Sequence, residues 1–324
     1  MQFFIAESPS SPLPGILKKL QGQRQKISKL NIPNNLDGNE TSPEFKNNQD
    51  IWYSDTPHIY FKRSTFTPII STTTLIGSLS DPFDTEGQSF KCACKPVYEC
   101  ENLDTKNWEV ISTLDRAVLI KNAWKTTNVQ GTTYGSMGHT VFEHGAKHRE
   151  LTFEQMYMFA QSKYNLDHPI LKNFAEDLFT NYFPKFGMFE VLSEPLLQLG
   201  ELLAGQADLV LLDHTNKVVH VLDYKTNKHK PGSIEDKSYG NFKFIVPRLR
   251  KNSLSEYQLQ LCLYQQMLLA QYPGYIAGSN FILWGNRDTG LMETIEINPG
   301  DHYNDICLIW QFLVNNSEQL RNIN

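Results

Sequence analysis

The chain has 324 residues, 40% hydrophobic and 12% aromatic, with a formal net charge of −5. That length can supply a core for one large domain or two small ones, and no apolar run approaches the ~18 residues of a membrane span. The mild acidity neither requires nor forbids a polyanionic partner, so local charge must decide. Five cysteines, odd in number and irregularly spaced, fit a reducing compartment. The opening MQFFIAESPSSP has no basic segment followed by an apolar one, so it is not expected to be a secretory signal, and a cytoplasmic protein is expected.

Residues 1–50 read as a flexible basic arm and linker, with a folded domain over 51–324. From Ser8 to Leu36 the cations Lys18, Lys19, Arg24, Lys26 and Lys29 meet no acidic residue. Such an arm either lies along phosphates or is simply a mobile, soluble tail. A helix is predicted over Gly15 to Leu30, and a polar linker from Asn34 to Asp50. His58 to Phe61 and Pro68 to Leu75 read as strands. The run Ser71 to Thr74 is a set of hydroxyls suited to phosphate or merely good strand formers. Cys92, Cys94 and Cys100 lack the C-x-x-C spacing of zinc sites and are expected to be structural or incidental. Trp108 to Trp124 is predicted helical.

The stretch from Gly131 to Glu150, GTTYGSMGHTVFEHGAKHRE, reads as a glycine-rich entry into a helix. His139 and Glu143, four apart, share a face of that helix. Helices are predicted over Thr152 to Tyr164 and over Pro169 to Phe183, the second capped by Asp167. A strand from Met188 to Leu199 carries Glu194 beside Pro195, and Gly200 makes the next turn.

The chain is organised around GQADLVLLDHTNKVVHVLDYK, Gly205 to Lys225. Alternation places Asp208, Val210 and Leu212 on one strand face, and Val219, Val221, Asp223 and Lys225 on one face of the next strand. A hairpin turning at His214 to Lys217 sets Asp208 opposite Asp223. Directly opposed residues sit about 4.5–5.5 Å apart at Cβ, where like charges repel. A divalent cation between them removes the repulsion, and carboxylate oxygens suit Mg²⁺ or Mn²⁺. The alternative is a surface hairpin with solvated carboxylates. Lys225 points its ammonium at the same place.

Thr226 to Asn252 is long, polar and basic, with Lys228, Lys230, Lys237, Lys243, Arg248, Arg250 and Lys251 interleaved with Tyr239, Phe242 and Phe244. It reads either as a loop that grips a nucleic-acid backbone or as a disordered one. A helix follows, with capping boxes at Ser253 and at Ser255. Its Tyr257, Gln260, Leu261, Tyr264 and Leu268 share a face, so Gln260 and Tyr264 either bond inside the core or face a site. Strands are predicted over Tyr275 to Trp284 and Met292 to Ile297, then an apolar helix from Tyr303 to Val314. No GxxxxGK[ST] motif is present.

In this order, Gly135-x-x-x-His139, Gly205-x-x-Asp208, Asp223-Tyr224-Lys225 and Gln260-x-x-x-Tyr264 resemble the motifs of the PD-(D/E)XK nuclease superfamily, in its RecB-like exonuclease branch. The resemblance covers roughly Pro68 to Trp284 and looks closest to compact exonucleases of phages and mobile elements. It implies an α/β restriction-endonuclease-like core, a central mixed sheet flanked by helices. It implies that His139, Asp208, Asp223 and the carbonyl of Tyr224 hold Mg²⁺ or Mn²⁺, with Lys225 orienting or activating water. Gln260 and Tyr264 would line the site and contact DNA, with Lys228 and Lys230 as further substrate contacts. Glu143 and Glu194 would sit just outside the metal's ligands or serve a second ion.

Relatives with an iron–sulfur cluster place three cysteines beyond the Gln–Tyr helix. Only Cys307 follows Tyr264 here, so no cluster is expected. The implied activity is a metal-dependent DNA exonuclease in replication, recombination or repair, with a protein partner from those processes in view. The alternatives are a flap- or branch-cutting endonuclease and a non-catalytic nucleic-acid-binding subunit.

Overall fold

The computed structural model describes residues 11–30, 45–48, 51–54, 57–100, 102–165, 167–238 and 240–323. Helix α1 (Leu13–Ile27) is followed by strands β1 (Phe45–Asn48), β2 (Ile51–Ser54), β3 (Ile59–Lys62) and β4 (Pro68–Ser71). The predicted helix forms, but it is not a free arm. Ile16 and Leu20, each 1% exposed, join the main core, while Lys18 and Lys19 face outward. A stripe of apolar residues at helical spacing docks α1, and the count of cations conceals it. Most of the predicted linker lies outside the described residues.

Past Ser71 the predicted strand gives way to α2 (Thr72–Ser78). The Ser71 hydroxyl accepts from the Thr74 N–H at 3.0 Å, so the hydroxyl run starts a helix. Helix α3 (Thr85–Ala93) leads to α4 (Thr113–Lys147), 35 residues long. The helix predicted up to Trp124 and the one expected to follow the glycine-rich entry at Gly131 are one continuous helix. Gly131 has open space around it, and a helix tolerates single glycines at about 1 kcal/mol each. A capping box at Thr152 and Gln155 opens α5 (Phe153–Tyr164). Asp167 does not cap α6 (Pro169–Asp177); it accepts from the Tyr157 hydroxyl at 2.7 Å.

The strands β5 (Glu190–Ser193), β6 (Leu196–Leu199), β7 (Leu203–Gln206), β8 (Leu209–Asp213) and β9 (Val218–Lys225) follow. Then come α7 (Ser253–Gln271), β10 (Ile276–Ala277), β11 (Asn280–Asn286), β12 (Leu291–Ile297), α8 (Tyr303–Asn315) and α9 (Ser317–Arg321). They build two sheets, ordered β1-β2-β3-β4-β7-β6 and β12-β11-β9-β8-β5, with β10 also paired to β9. The single strand expected over Met188 to Leu199 is therefore two, in different sheets. The chain crosses at Glu194, whose φ is +49, before Pro195, which has no N–H to donate. It crosses back at Ala207 and Asp208, so Asp208 stands where one sheet hands over to the other.

The second sheet is mixed and covered on both faces. Val210, Leu212, Val219 and Val221 pack with Leu261 and Leu268 of α7, while Leu209, Leu211, Leu222 and Tyr224 pack with Val141 and Phe142 of α4 and Phe174 of α6. Parallel strands β9 and β11 need a crossover, and α7 supplies it. Gln265, fully buried, donates to Val219 O and Gly278 O, both at 2.9 Å, and ties that helix to the sheet. The cap of α7 is Asn252, one residue ahead of the predicted serines; it accepts from Ser255 N–H at 3.0 Å.

The basic loop between β9 and α7 is anchored. Phe242 and Val246 are buried in the main core, and Asn241 bridges Arg250. Lys243 pairs with Asp81, Lys251 donates to Asp81 O at 3.0 Å, and Lys230 pairs with Glu293 at 2.7 Å. Arg248 reaches both oxygens of buried Asp305 at 2.8 and 2.9 Å. Tyr239, counted among the stacking aromatics, lies outside the described residues. Among the described residues no helix is long and apolar enough to cross a membrane.

Candidate active site

The β8–β9 hairpin turns at His214 to Lys217, with Leu209 opposite Leu222 and Asp213 opposite Val218. Asp208, a bend residue just ahead of β8, lies outside that ladder; it stands one register step from a place opposite Asp223, and its charge acts on the Asp223 carboxyl. The Asp213 carboxylate closes the turn by accepting from Thr215 and Asn216 N–H groups, both at 2.9 Å. Asp208 leads into β8, its Oδ2 accepting from the Tyr224 N–H at 2.8 Å. Glu194 N–H donates to the Asp208 carbonyl at 3.0 Å. Two backbone contacts thus fix Asp208 between the sheets.

His139 comes from α4, and its Nδ1 lies 3.4 Å from Asp208 Oδ2. Asp223 is 2% exposed. Its Oδ2 forms an ion pair with Lys225 Nζ, yet no aligned hydrogen bond satisfies that oxygen. Burial raises the Asp223 carboxyl above its ordinary range; Lys225 opposes the rise and Asp208 adds to it. Burial pulls the Lys225 ammonium down, but Asp223 and Asp208 outweigh it, and Lys225 stays charged. Its Nζ also sits 4.8 Å from the centroid of the Tyr257 ring.

Among the described residues no three His, Cys, Asp or Glu side chains stand close enough to hold a metal ion as placed. The Lys225 ammonium takes the place on Asp223 that a cation would occupy. The donor set nevertheless fits a hard divalent ion: the carboxylates of Asp208 and Asp223, the second buried with an unsatisfied oxygen, and an imidazole on the first.

Gln260 and Tyr264 are brought to each other. Gln260 Nε2 donates to Tyr264 Oη at 2.9 Å, and Tyr264 is 3% exposed. The Tyr264 ring lies over Gly205, where an added Cβ would come within 2.3 Å of it. That close approach explains the glycine three residues before Asp208. Glu143 and Glu194 meet on a different partner: Lys147 pairs with Glu143 and lies 3.8 Å from Glu194.

A cleft of about 1120 Å³ opens on this centre, bordered by His139, Tyr224, Lys225 and Lys228. Lys230 is turned away onto Glu293. The cleft also takes in Tyr134, His168, Tyr257 and Arg287. Sequence reading placed Tyr257 only on a helix face and passed over the other three. The signal for Arg287 was its place just after a strand that pairs in parallel with the Lys225 strand, with Trp284 opposite Lys225.

No curated protein matches the chain. Among solved structures, SSO0001 is 16% identical with a TM-score of 0.26, covering 57% of this chain and 74% of its own. A protein from Eubacterium rectale, named only as a candidate exonuclease, is 13% identical with a TM-score of 0.29, covering 74% of this chain and 84% of its own. Likenesses that distant carry no functional argument. The sequence model of the PD-(D/E)XK nuclease superfamily matches residues 113–301. That segment is more than half of the chain, spans the carboxylate–lysine centre, and folds around a mixed sheet flanked by helices. The chain therefore belongs to the PD-(D/E)XK nuclease superfamily, whose members cleave nucleic acid by hydrolysis.

Proposed function

We propose that the protein is a metal-dependent DNA exonuclease of the RecB-like branch. It acts on DNA ends or single strands in replication, recombination or repair. Its catalytic unit runs from residue 51 onward with α1 docked on it. The observation that carries this reading is the charge of Asp208 acting on buried Asp223, with charged Lys225 paired to Asp223 at the cleft.

His139, Asp208, Asp223 and the Tyr224 carbonyl would hold Mg²⁺ or Mn²⁺. When bound, such an ion lowers the pKa of its water and neutralises charge on the scissile phosphate. The chain's own groups do the rest. The Tyr224 N–H and the backbone around Asp208 hold that carboxylate in one orientation. Lys225 stays charged in a desolvated place, where an ammonium orients an attacking water and stabilises the anionic phosphorane-like transition state. Tyr257 supports Lys225 from beneath. Gln260 and Tyr264 serve by fixing the Gly205 to Asp208 crossing from behind. Lys228, on the cleft border, contacts the strand.

The test is cleavage of end-labelled linear single- and double-stranded DNA beside a closed circle, with Mg²⁺, Mn²⁺ or EDTA, for wild type and Lys225→Ala. Loss of linear DNA alone, dependent on metal and on Lys225, is the expected result, and the label gives the polarity. Cutting of the circle would make the enzyme an endonuclease. Binding without any cleavage would make it a non-catalytic subunit.

A further inference from the structure

Besides Tyr224 Oη, next to the carboxylate–lysine centre, three polar atoms on residues lining the cleft are buried without a hydrogen-bond partner: Tyr134 Oη, His168 Nδ1 and Arg287 Nε. None belongs to the carboxylate–lysine centre. Each such atom has given up its hydrogen bonds to water for nothing in return, so three at one place call for an explanation. They are also packed together. The Arg287 guanidinium lies 4.4 Å from the centroid of the Tyr134 ring, and the His168 ring stands 4.5 Å from the same ring, edge to face. Arg287 Nη2 donates to Thr226 O at 2.9 Å, which fixes it beside the residue after Lys225.

The chemistry of the group selects its ligand. Burial raises the Tyr134 hydroxyl to about 12 against the pull of Arg287, so it remains a donor. Arg287 is a permanent cation with a second N–H aimed at no protein atom. Among the described residues, the cleft border holds Lys225, Lys228 and Arg287 and no aspartate or glutamate. Burial and Arg287 lower the His168 imidazole and leave it neutral, so it donates from one nitrogen only. A small anion rich in acceptor oxygens satisfies the Tyr134 and Arg287 donors together, and His168 adds a third in the tautomer protonated at Nδ1; a phosphate does so best.

We propose that Arg287, with Tyr134 and His168, binds a phosphate of the substrate strand next to the bond that is cut. This rests on the nuclease reading above. It adds a binding residue to the site: Arg287 holds the strand in register while the carboxylate–lysine centre performs the chemistry. The phosphate belongs either to an internal linkage or to a strand terminus, and the experiment separates the two.

The experiment measures the Kd of short single-stranded DNA in EDTA, so that no turnover is needed. In one series each internal phosphate is replaced in turn by an uncharged methylphosphonate. In another the terminal phosphate is present or absent at either end. Wild type, Arg287→Met, Arg287→Lys and Tyr134→Phe are compared, with folding checked by thermal melting. Wild type is expected to lose about tenfold in affinity at one replacement, the scale of a charge-assisted hydrogen bond. Arg287→Met should lose that sensitivity, and Arg287→Lys should recover part of it. Tyr134→Phe removes one hydroxyl and should lose about threefold at the same phosphate. It also serves as the probe should Arg287→Met fail to fold.

Sensitivity at a terminal phosphate would identify end recognition, and sensitivity at an internal linkage would trace the path of the strand. A uniform loss of affinity in Arg287→Met with the wild-type pattern retained would overturn the proposal and leave Arg287 a purely structural residue. So would a wild type indifferent to every replacement. Arg287-dependent discrimination in a protein that cuts no DNA with Mg²⁺ or Mn²⁺ would overturn the catalytic reading and leave the phosphate subsite standing.

Discussion

Two regions of this protein carry conspicuous charge, and they handle it in opposite ways. At the end of the β8–β9 hairpin, Asp223 is 2% exposed, feels the charge of Asp208, and is offset chiefly by Lys225. In the loop from Thr226 to Asn252, cations are more numerous, and three of its seven lysines and arginines are turned onto the protein's own acids. Lys230 meets Glu293, Lys243 meets Asp81 and Arg248 meets Asp305. The number of charges in a segment says little about their availability. A buried like-charged pair is costly unless something else neutralises it, whereas surface pairs are worth little and can simply hold a loop. Chemistry is therefore to be sought at the hairpin, and much of the loop's charge is structural.

The sharpest break of that comparison is Asp208→Ala or Lys225→Ala. Each is expected to slow DNA cleavage by ~10²–10³-fold while Kd in EDTA changes only severalfold. Equal losses in both measurements would assign these residues to binding. Next in size, Lys225→Ala also strands the buried Asp223 carboxylate and should lower unfolding free energy by about 3 kcal/mol, with Asp223→Asn restoring much of it in the double variant. Urea titration of the four proteins reads this directly.

Gly205→Ala is expected to cost about 1–3 kcal/mol, because its Cβ would enter the Tyr264 ring at 2.3 Å. The loss should be clearly less than additive with Tyr264→Ala. Additive melting shifts would show that the glycine serves something other than this close approach. In the loop, Arg248→Ala removes the partner of buried Asp305 and should lower the melting temperature without changing DNA affinity. The smallest expected effect separates the loop's own cations. Lys228→Ala should flatten the salt dependence of binding by about one counterion, while Lys230→Ala should leave the slope unchanged. Identical slopes for the two would erase the distinction between a lysine on the cleft border and one turned onto Glu293.

Much of the centre was legible in the chain alone. Strand alternation put Asp208 and Asp223 at the same end of the hairpin and the turn at His214 to Lys217, because a period-two pattern and a short polar loop determine register locally. The helix carrying His139 and the helix carrying Gln260 and Tyr264 follow from periodicity in the same way. Local chemistry also misled. Threonines after Ser71 favour strands by propensity, yet a serine cap started α2 there, and α4 runs on through the glycine-rich stretch at Gly131. Propensities of a few tenths of a kcal/mol yield to packing.

Sequence by itself determined the elements of the hairpin, the order of the motifs and the two carboxylates at the hairpin's open end, since all of these are set by neighbours along the chain. Only the tertiary structure decided the rest. It divided the strands between two sheets at Glu194 and Asp208, and it docked α1 through Ile16 and Leu20. It turned the loop cations onto Asp81, Glu293 and Asp305, and it gathered Tyr134, His168 and Arg287 around one cleft. Those partners lie tens to hundreds of residues apart, and no local pattern encodes which distant group a charge will meet once the core has closed.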